Sequence, residues 1–230
     1  IVLFDYQPTR GGTAPSAMLE NFKGYLQTDG YGAYEKIGRQ KDITHLVCWA
    51  HARREFEKAI DNDKERAGIA LTFIQELYKT EQQARDEKLS AEQRKELRLQ
   101  KSIPVINLLG KWLAEENKKV LPKSQIGKAM MYSMSRWDKL SAYLNDGQLE
   151  IDNNLIENAI RPVALGRKNY LFAGSHQAAQ RAAMIYSFFA ICKKHQVNPY
   201  QWLKYTLQNI MSVNHKNIRN FYPQNFKNNM

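Results

Sequence analysis

The apolar positions of this chain change their period twice. Ile1-Val-Leu-Phe-Asp-Tyr6 is a short, nearly continuous apolar run that predicts a strand, and Gln7 to Pro15, with Gly11 and Gly12, predicts a loop. Ser16 is placed to cap a short helix from Ala17 to Phe22, with Gly24 as its stop. Tyr25–Thr28 predicts a second strand, whose carboxyl end delivers Asp29 ahead of Gly30. Ala33–Ile37 predicts a short helix, Thr44–Trp49 a third strand, and His51–Ile60 a helix. Strand, helix, strand, helix, strand is the rhythm of an α/β core with crossover connections.

From about Ala52 to Leu144 long helices take over. Ile69, Leu71, Phe73, Ile74, Leu77 and Tyr78 give Gly68–Lys88 a helical period, and Ser90 with Gln93 forms a capping box for the next helix. Pro104 is expected to end or kink that helix, and Pro122 breaks the chain before Ile126–Leu144. After the turn signal Asn145-Asp-Gly147, Asp152 is placed as N-cap of a helix carrying Glu157, which Pro162 and Gly166 punctuate. Ser175 caps an Ala-rich helix to Cys192, closed by Lys193 and Lys194, and Asn198-Pro199 opens a last helix to about Met211. Residues 214–230 read as an arm or an irregular docking segment. The expected organisation is a partial α/β core over 1–51, a helical insertion over 52–144, the rest of the core over 145–212 and a carboxy-terminal arm over 213–230.

Charge adds a second pattern. The formal net charge is +11, yet Glu157 is the last acidic residue, and residues 158–230 hold ten Lys or Arg and no Asp or Glu. A carboxylate at the edge of a one-sign positive stretch suits a metal ion held against a polyanion, nucleic acid before an anionic membrane surface. No apolar run approaches the roughly 18 residues of a spanning helix. Two cysteines give no disulfide framework and suit a reducing cytoplasm.

Three constellations carry candidate chemistry. Asp29, past a strand end, and Glu157, early on a helix, are hard oxygen donors of the kind that hold divalent ions for phosphodiester chemistry. Each also has a plain structural reading, Asp29 as an Asx-turn before Gly30 and Glu157 as an i,i+4 partner of Arg161. Cys48-Trp-Ala-His51 lacks the second pair that zinc needs; either His51, Arg53 or Arg54 lies near the phosphates that Asp29 helps bind, or this is simply a buried strand end running into a helix with Arg53 and Arg54 exposed. Arg161, Arg167 and Lys168, interleaved with Tyr170 and Phe172, fit a nucleic-acid strand running past.

Five motifs in order carry a resemblance. Leu26-Gln-Thr-Asp-Gly-Tyr31, Cys48-Trp-Ala-His-Ala-Arg-Arg-Glu-Phe56, Leu121-Pro-Lys-Ser124, Ile151-Asp-Asn-Asn-Leu-Ile-Glu-Asn-Ala-Ile-Arg-Pro162 and Gly166-Arg-Lys-Asn-Tyr-Leu-Phe-Ala-Gly-Ser175 closely resemble transposases of the insertion sequence 66 family. The similarity extends to Phe221-Tyr-Pro-Gln-Asn-Phe226. It implies a bacterial, nucleoid-associated DDE transposase of a mobile element, with a ribonuclease-H-like core interrupted by a helical insertion. Asp29 then matches the second catalytic Asp and Glu157 the catalytic Glu, both metal ligands for two Mg²⁺ or Mn²⁺ ions. Cys48, His51 and Asn154 shape the site, and Arg53, Arg54, Arg161, Arg167 and Lys168 bind DNA. The implied partners are transposon ends, target DNA and further copies of the chain in a synaptic complex.

The family's first catalytic Asp lies on the first core strand, upstream of these residues. Residues 1–6 match a later strand, so Asp5 does not replace it. The chain is therefore expected to be the carboxy-terminal part of a longer enzyme, without strand-cleavage activity as it stands. Two rivals remain at this point: a structure-specific nuclease of the same fold, and a non-catalytic DNA-binding remnant.

Overall fold

Two five-residue strands run parallel, β1 (Gly24–Thr28) and β2 (Ile43–Val47), paired from Gly24 with Ile43 to Thr28 with Val47. They are found in a computed structural model that describes residues 1–226; the last four residues of the expected arm, 227–230, lie outside the described residues. Elsewhere the chain is mainly helical. Helices α1 (Thr13–Met18), α2 (Trp49–Lys58), α3 (Lys64–Asp86), α4 (Ala91–Glu116), α5 (Gln125–Met134), α6 (Trp137–Ser141), α7 (Asn154–Tyr170), α8 (His176–Lys194) and α9 (Pro199–Asn209) follow in order, with short 3₁₀ turns between them. The α/β expectation holds in this coarse form: a small parallel sheet in a helical chain.

Contacts divide the chain into two units, Gly11–Asn154 and Ile1–Arg10 with the chain from Leu155 onward. In the first, the inner face of the sheet and the helices share one core. Leu46, Val47, Trp49, Phe56, Ile74, Leu77, Leu113, Met130 and Leu140 are all buried there. Trp49 packs edge-on against Trp137 and donates its indole N–H to the Leu140 carbonyl at 2.8 Å. The helices form where local signals and burial agree. Asp63 caps α3 by accepting from the Arg66 amide at 3.0 Å, and Ala67, Ala70, Ile74 and Leu77 make its buried stripe. The predicted Ser90–Gln93 capping box opens α4.

Within that core lies a buried ionic cluster. Arg98, fully buried, donates from Nε and Nη2 to Glu81 at 2.7 and 2.8 Å, and reaches the carbonyls of Tyr143, Asp146 and Leu149. Arg94 bridges Glu81 and Glu150. The cluster thereby ties the returning segment 143–150 to α3 and α4. Gly147 completes the return: a Cβ there would lie 1.7 Å from the backbone oxygen of Ala91, too close for any side chain. Gly147→Ala is expected to cost at least about 2 kcal/mol, since backbone must move to admit the methyl. A thermal melt of the chain checks this, and an unchanged midpoint contradicts it.

In the second unit, Ser175 caps α8 through the Ala178 amide, and Asn198 caps α9 with Pro199 in its first turn. Cys192, Val197 and Trp202 are its buried centre, and the Trp202 indole N–H donates to the Phe221 carbonyl at 2.7 Å. Residues 214–226 therefore dock through 3₁₀ turns.

Four expectations give way. Residues 1–6 form no strand among the described residues; the Phe4 amide donates to Ser187 Oγ at 2.7 Å instead of a ladder partner. The short helix starts at Thr13, so Ser16 lies inside it, and Gly24 opens β1 with φ +107° instead of stopping a helix. Residues 33–37, expected as a helix, fall in and between two 3₁₀ turns, Gly32–Tyr34 and Ile37–Arg39. Pro104 does not end its helix, and Pro162 and Gly166 do not interrupt theirs: all three sit inside continuous helices. Each proline lies on an exposed face, and the residue four earlier, Gln100 or Asn158, is exposed too, so water can satisfy the carbonyl that loses its amide partner.

Candidate active site and nucleic-acid interface

Asp29 is the residue immediately past β1, at the carboxyl end of the parallel pair, and its side chain is exposed. Side chains there project beyond the sheet, where α/β folds bind ligands. The turn that presents it is built locally. Asp29 Oδ1 accepts from the Tyr31 amide at 2.9 Å, as the Asx-turn reading expects, and Gly30 takes φ +84°. Thr28 Oγ1 accepts from the Gly30 amide at 3.1 Å and is hydrogen-bonded to His45 Nε2 at 2.8 Å, both side chains being buried. Burial, then the Lys139 charge, lowers the His45 pKa, which keeps this supporting imidazole neutral. A carboxylate has about four acceptor sites, so one amide bond does not exhaust Asp29.

The segment leading into α7 is fastened at the same end of the sheet. Gln27 Nε2 donates to the Glu150 carbonyl at 2.9 Å, and the Trp49 amide to the Ile151 carbonyl at 3.2 Å. The Tyr78 hydroxyl donates to Asp152 Oδ2 at 2.9 Å; Asp152 in turn accepts the Asn154 amide at 3.0 Å and the Asn154 side-chain amide at 2.7 Å. Asp152 thus lies two residues ahead of the helix, one further out than the expected N-cap. Burial, then the charge of Asp152, raises the Tyr78 pKa, so the phenol stays a neutral donor. Cys48 is fully buried at the start of α2, where its sulfur meets the amides of Asn153, His51 and Ala50. Burial outweighs those amides and pushes the thiol pKa up, which suits a packing role over a nucleophilic one. Cys48 and Asn154 therefore meet this fastened segment, and His51 follows in the first turn of α2.

Glu157 stands in the first turn of α7, one helical turn after Asn154, and belongs to the other unit. Its carboxylate suits the positive end of the helix dipole, as Arg167 and Lys168 suit the negative end. The nine Lys and Arg between residues 158 and 226 are all exposed, Arg161, Arg167 and Lys168 among them. With no acid in that stretch, their charges add into one field. Arg53 and Arg54 are exposed on α2, and Arg53 Nε is paired with Glu57 at 3.0 Å. Tyr78, Gln27 and Asp152 were not among the predicted site residues. Gln27 and Asp152 lie within the Leu26–Tyr31 and Ile151–Pro162 motifs, whereas nothing in the sequence signalled Tyr78.

Hard oxygen donors of the right kind are present in Asp29 and Glu157. Among the described residues, however, no group of three His, Cys, Asp or Glu lies together in a way that could hold a metal ion. Each carboxylate is, by its chemistry, a donor that a divalent ion can take. Among the described residues, no helix is long and apolar enough to cross a membrane.

No solved structure matches the chain. The uncharacterized protein y4qI of Sinorhizobium fredii (strain NBRC 101917 / NGR234) is 34% identical over 236 residues, covering 99% of this chain and 43% of that protein. From the same organism, the uncharacterized protein y4hP is 34% identical over 218 residues, covering 87% of this chain and 39% of its own length. The uncharacterized protein y4jD is 31% identical over 214 residues, covering 90% and 42%. The chain thus spans about two fifths of the length of the curated relatives it matches. The family model described as Transposase IS66 family matches residues 1–181, and with that match over most of its length the chain belongs to this transposase family.

Proposed function

We propose that this chain forms part of the catalytic region of a DDE transposase with a ribonuclease-H-like core, acting on transposon ends and target DNA. One observation carries the reading most. The first residue of α7, the helix that bears Glu157, is fastened through residues 150–154 to Gln27, Trp49 and Tyr78, at the sheet end where Asp29 emerges. That fastening supports the place of Asp29 in the reading; Glu157 enters it through the family resemblance. Asp29 and Glu157 would hold Mg²⁺ or Mn²⁺ together with a third carboxylate that the family pattern places on the first core strand. Bound there, a two-ion centre supplies Lewis-acid stabilisation to attacking and leaving oxygens. The chain's own residues hold the DNA: Arg161, Arg167 and Lys168 contact phosphates, while Cys48, His51 and Asn154 shape the surroundings of the acids. The basic stretch after Glu157 is expected to let the 230 residues alone bind DNA.

Joining separates a transposase from a nuclease. A full-length protein carrying this sequence, given pre-cut ends with free 3′-hydroxyls, is expected to join them to target DNA; cutting without joining would support the nuclease reading. Synapsis requires more than one copy, and the exposed Leu155, Ile156 and Leu165 on α7 offer apolar surface for such an assembly.

DNA binding has its own test. Arg167→Ala with Lys168→Ala is expected to weaken binding to all sequences and to reduce the slope of log K against log salt by about 2, since each phosphate contact contributes about 0.9. Fluorescence anisotropy over a salt series measures it. An unchanged slope means that neither side chain touches phosphate.

A further inference from the structure

Arg136, between α5 and α6, lies against the Asp29 turn. A Cβ built on Gly30 would be 3.6 Å from Arg136 Nε and 3.1 Å from the Tyr132 hydroxyl, so both side chains pack on the residue next to Asp29. The guanidinium is stacked on the Tyr132 ring, 4.2 Å from its centroid. Its hydrogen bonds are few and local: Nη1 to Ser135 Oγ at 3.1 Å and to the Tyr132 carbonyl at 3.5 Å. Nε is buried and has no hydrogen-bond partner among the described residues. The nearby Glu35 is already paired with Lys139 at 2.6 Å.

This is an unusual state for arginine. A guanidinium that is half-buried usually satisfies its five donors with a carboxylate or with several carbonyls, as Arg98 does in the same unit. Arg136 instead has its planar guanidinium held over an aromatic face, which lowers the entropy lost when an oxyanion partner binds. We propose that Arg136, held by Tyr132, binds a phosphate oxygen of the DNA backbone beside Asp29. The ligand class follows from donor geometry and location. A forked cation beside a turn read as part of a DNA-processing site pairs with the non-bridging oxygens of a phosphodiester, the single negative charge of which it balances. The inference rests on the reading of Asp29 as part of a DNA-processing site and adds a residue from the helical region to it.

The test uses the 230-residue chain and a short fluorescein-labelled duplex of arbitrary sequence, titrated over a salt series. Arg136→Gln is expected to weaken binding by more than about threefold and to lower the salt slope by about 1, with the melting temperature unchanged. Arg136→Lys should keep the slope, because the charge remains, while losing part of the affinity. Asp29→Asn should couple to Arg136→Gln, the double variant departing from additivity by more than about twofold because both groups face one phosphate. A wild-type slope in Arg136→Gln, or additive effects with Asp29→Asn, overturns the assignment. If Arg167→Ala with Lys168→Ala flattens the slope while Arg136→Gln does not, the DNA reading stands and this inference alone falls. Absence of salt-dependent binding by the wild-type chain sinks both.

Discussion

Glu157→Gln, introduced into a full-length protein carrying this sequence, is expected to lower strand transfer by at least about a thousandfold while leaving DNA affinity within about twofold. The substitution keeps size and shape and removes one negative charge, which is what a divalent ion at this position needs. Glu157 lies in the first turn of α7, where the helix dipole favours a carboxylate by about 0.3–1 kcal/mol. A large loss of rate with an unchanged melting temperature would therefore report chemistry. Single-turnover joining of pre-cut ends measures the rate, and turnover within about tenfold of wild type would remove Glu157 from the catalytic set. Asp29→Asn should behave alike. Its turn is held partly by its own Oδ1, which an Asn side chain reproduces.

Arg98→Ala carries the largest expected effect on stability, about 3–5 kcal/mol. It leaves Glu81 fully buried with only Arg94, and it strips a donor from the carbonyls of Tyr143, Asp146 and Leu149. Burial by itself would raise the Glu81 pKa; Arg98 and Arg94 reverse that and hold it below the usual carboxylate value. A folded pKa below the unfolded one means that the stabilisation is present above the unfolded carboxylate pKa of about 4.3 and is lost as pH falls through the lower folded value. Without Arg98, burial regains its influence and the folded pKa moves up. The penalty of the substitution should thus be largest near neutral pH and shrink as pH drops below about 4. Urea unfolding at a neutral and an acidic pH measures both arms. A penalty under about 1 kcal/mol, or one that grows in acid, would contradict a charged Glu81–Arg98 pair.

The features legible in the sequence were those that depend on neighbours in the chain. The caps at Ser90, Ser175 and Asn198 act within three residues of themselves, and the structure holds all three. The cores of β1 and β2 were readable because each is a compact β-rich run bounded by turn residues. Residues 1–6 have the same composition but no ladder, because a strand exists only through its partner. Pro104 and Pro162 do not end their helices, because a helix tolerates a missing amide where water reaches the orphaned carbonyl, and solvent-facing placement is a tertiary property.

For the candidate site, strand-end placement, the charge break and motif order pointed to Asp29 and Glu157. The fastening around them was not: Gln27–Glu150 and Tyr78–Asp152 join residues 123 and 74 positions apart. Arg98 and Arg136 looked like any surface cation in a basic chain. One is sealed in the core and the other is stacked beside Asp29. Nothing local distinguishes them.

Asp29 and Glu157 are proposed to serve one metal centre. Iron-directed cleavage of the full-length protein tests it most directly, with Fe²⁺ in place of Mg²⁺ and ascorbate and peroxide to generate hydroxyl radicals at the bound ion. The prediction is backbone scission around both residue 29 and residue 157, with both cuts lost together in Asp29→Asn and in Glu157→Gln. Scission at only one of the two positions, or cuts that survive either substitution, would contradict a shared centre.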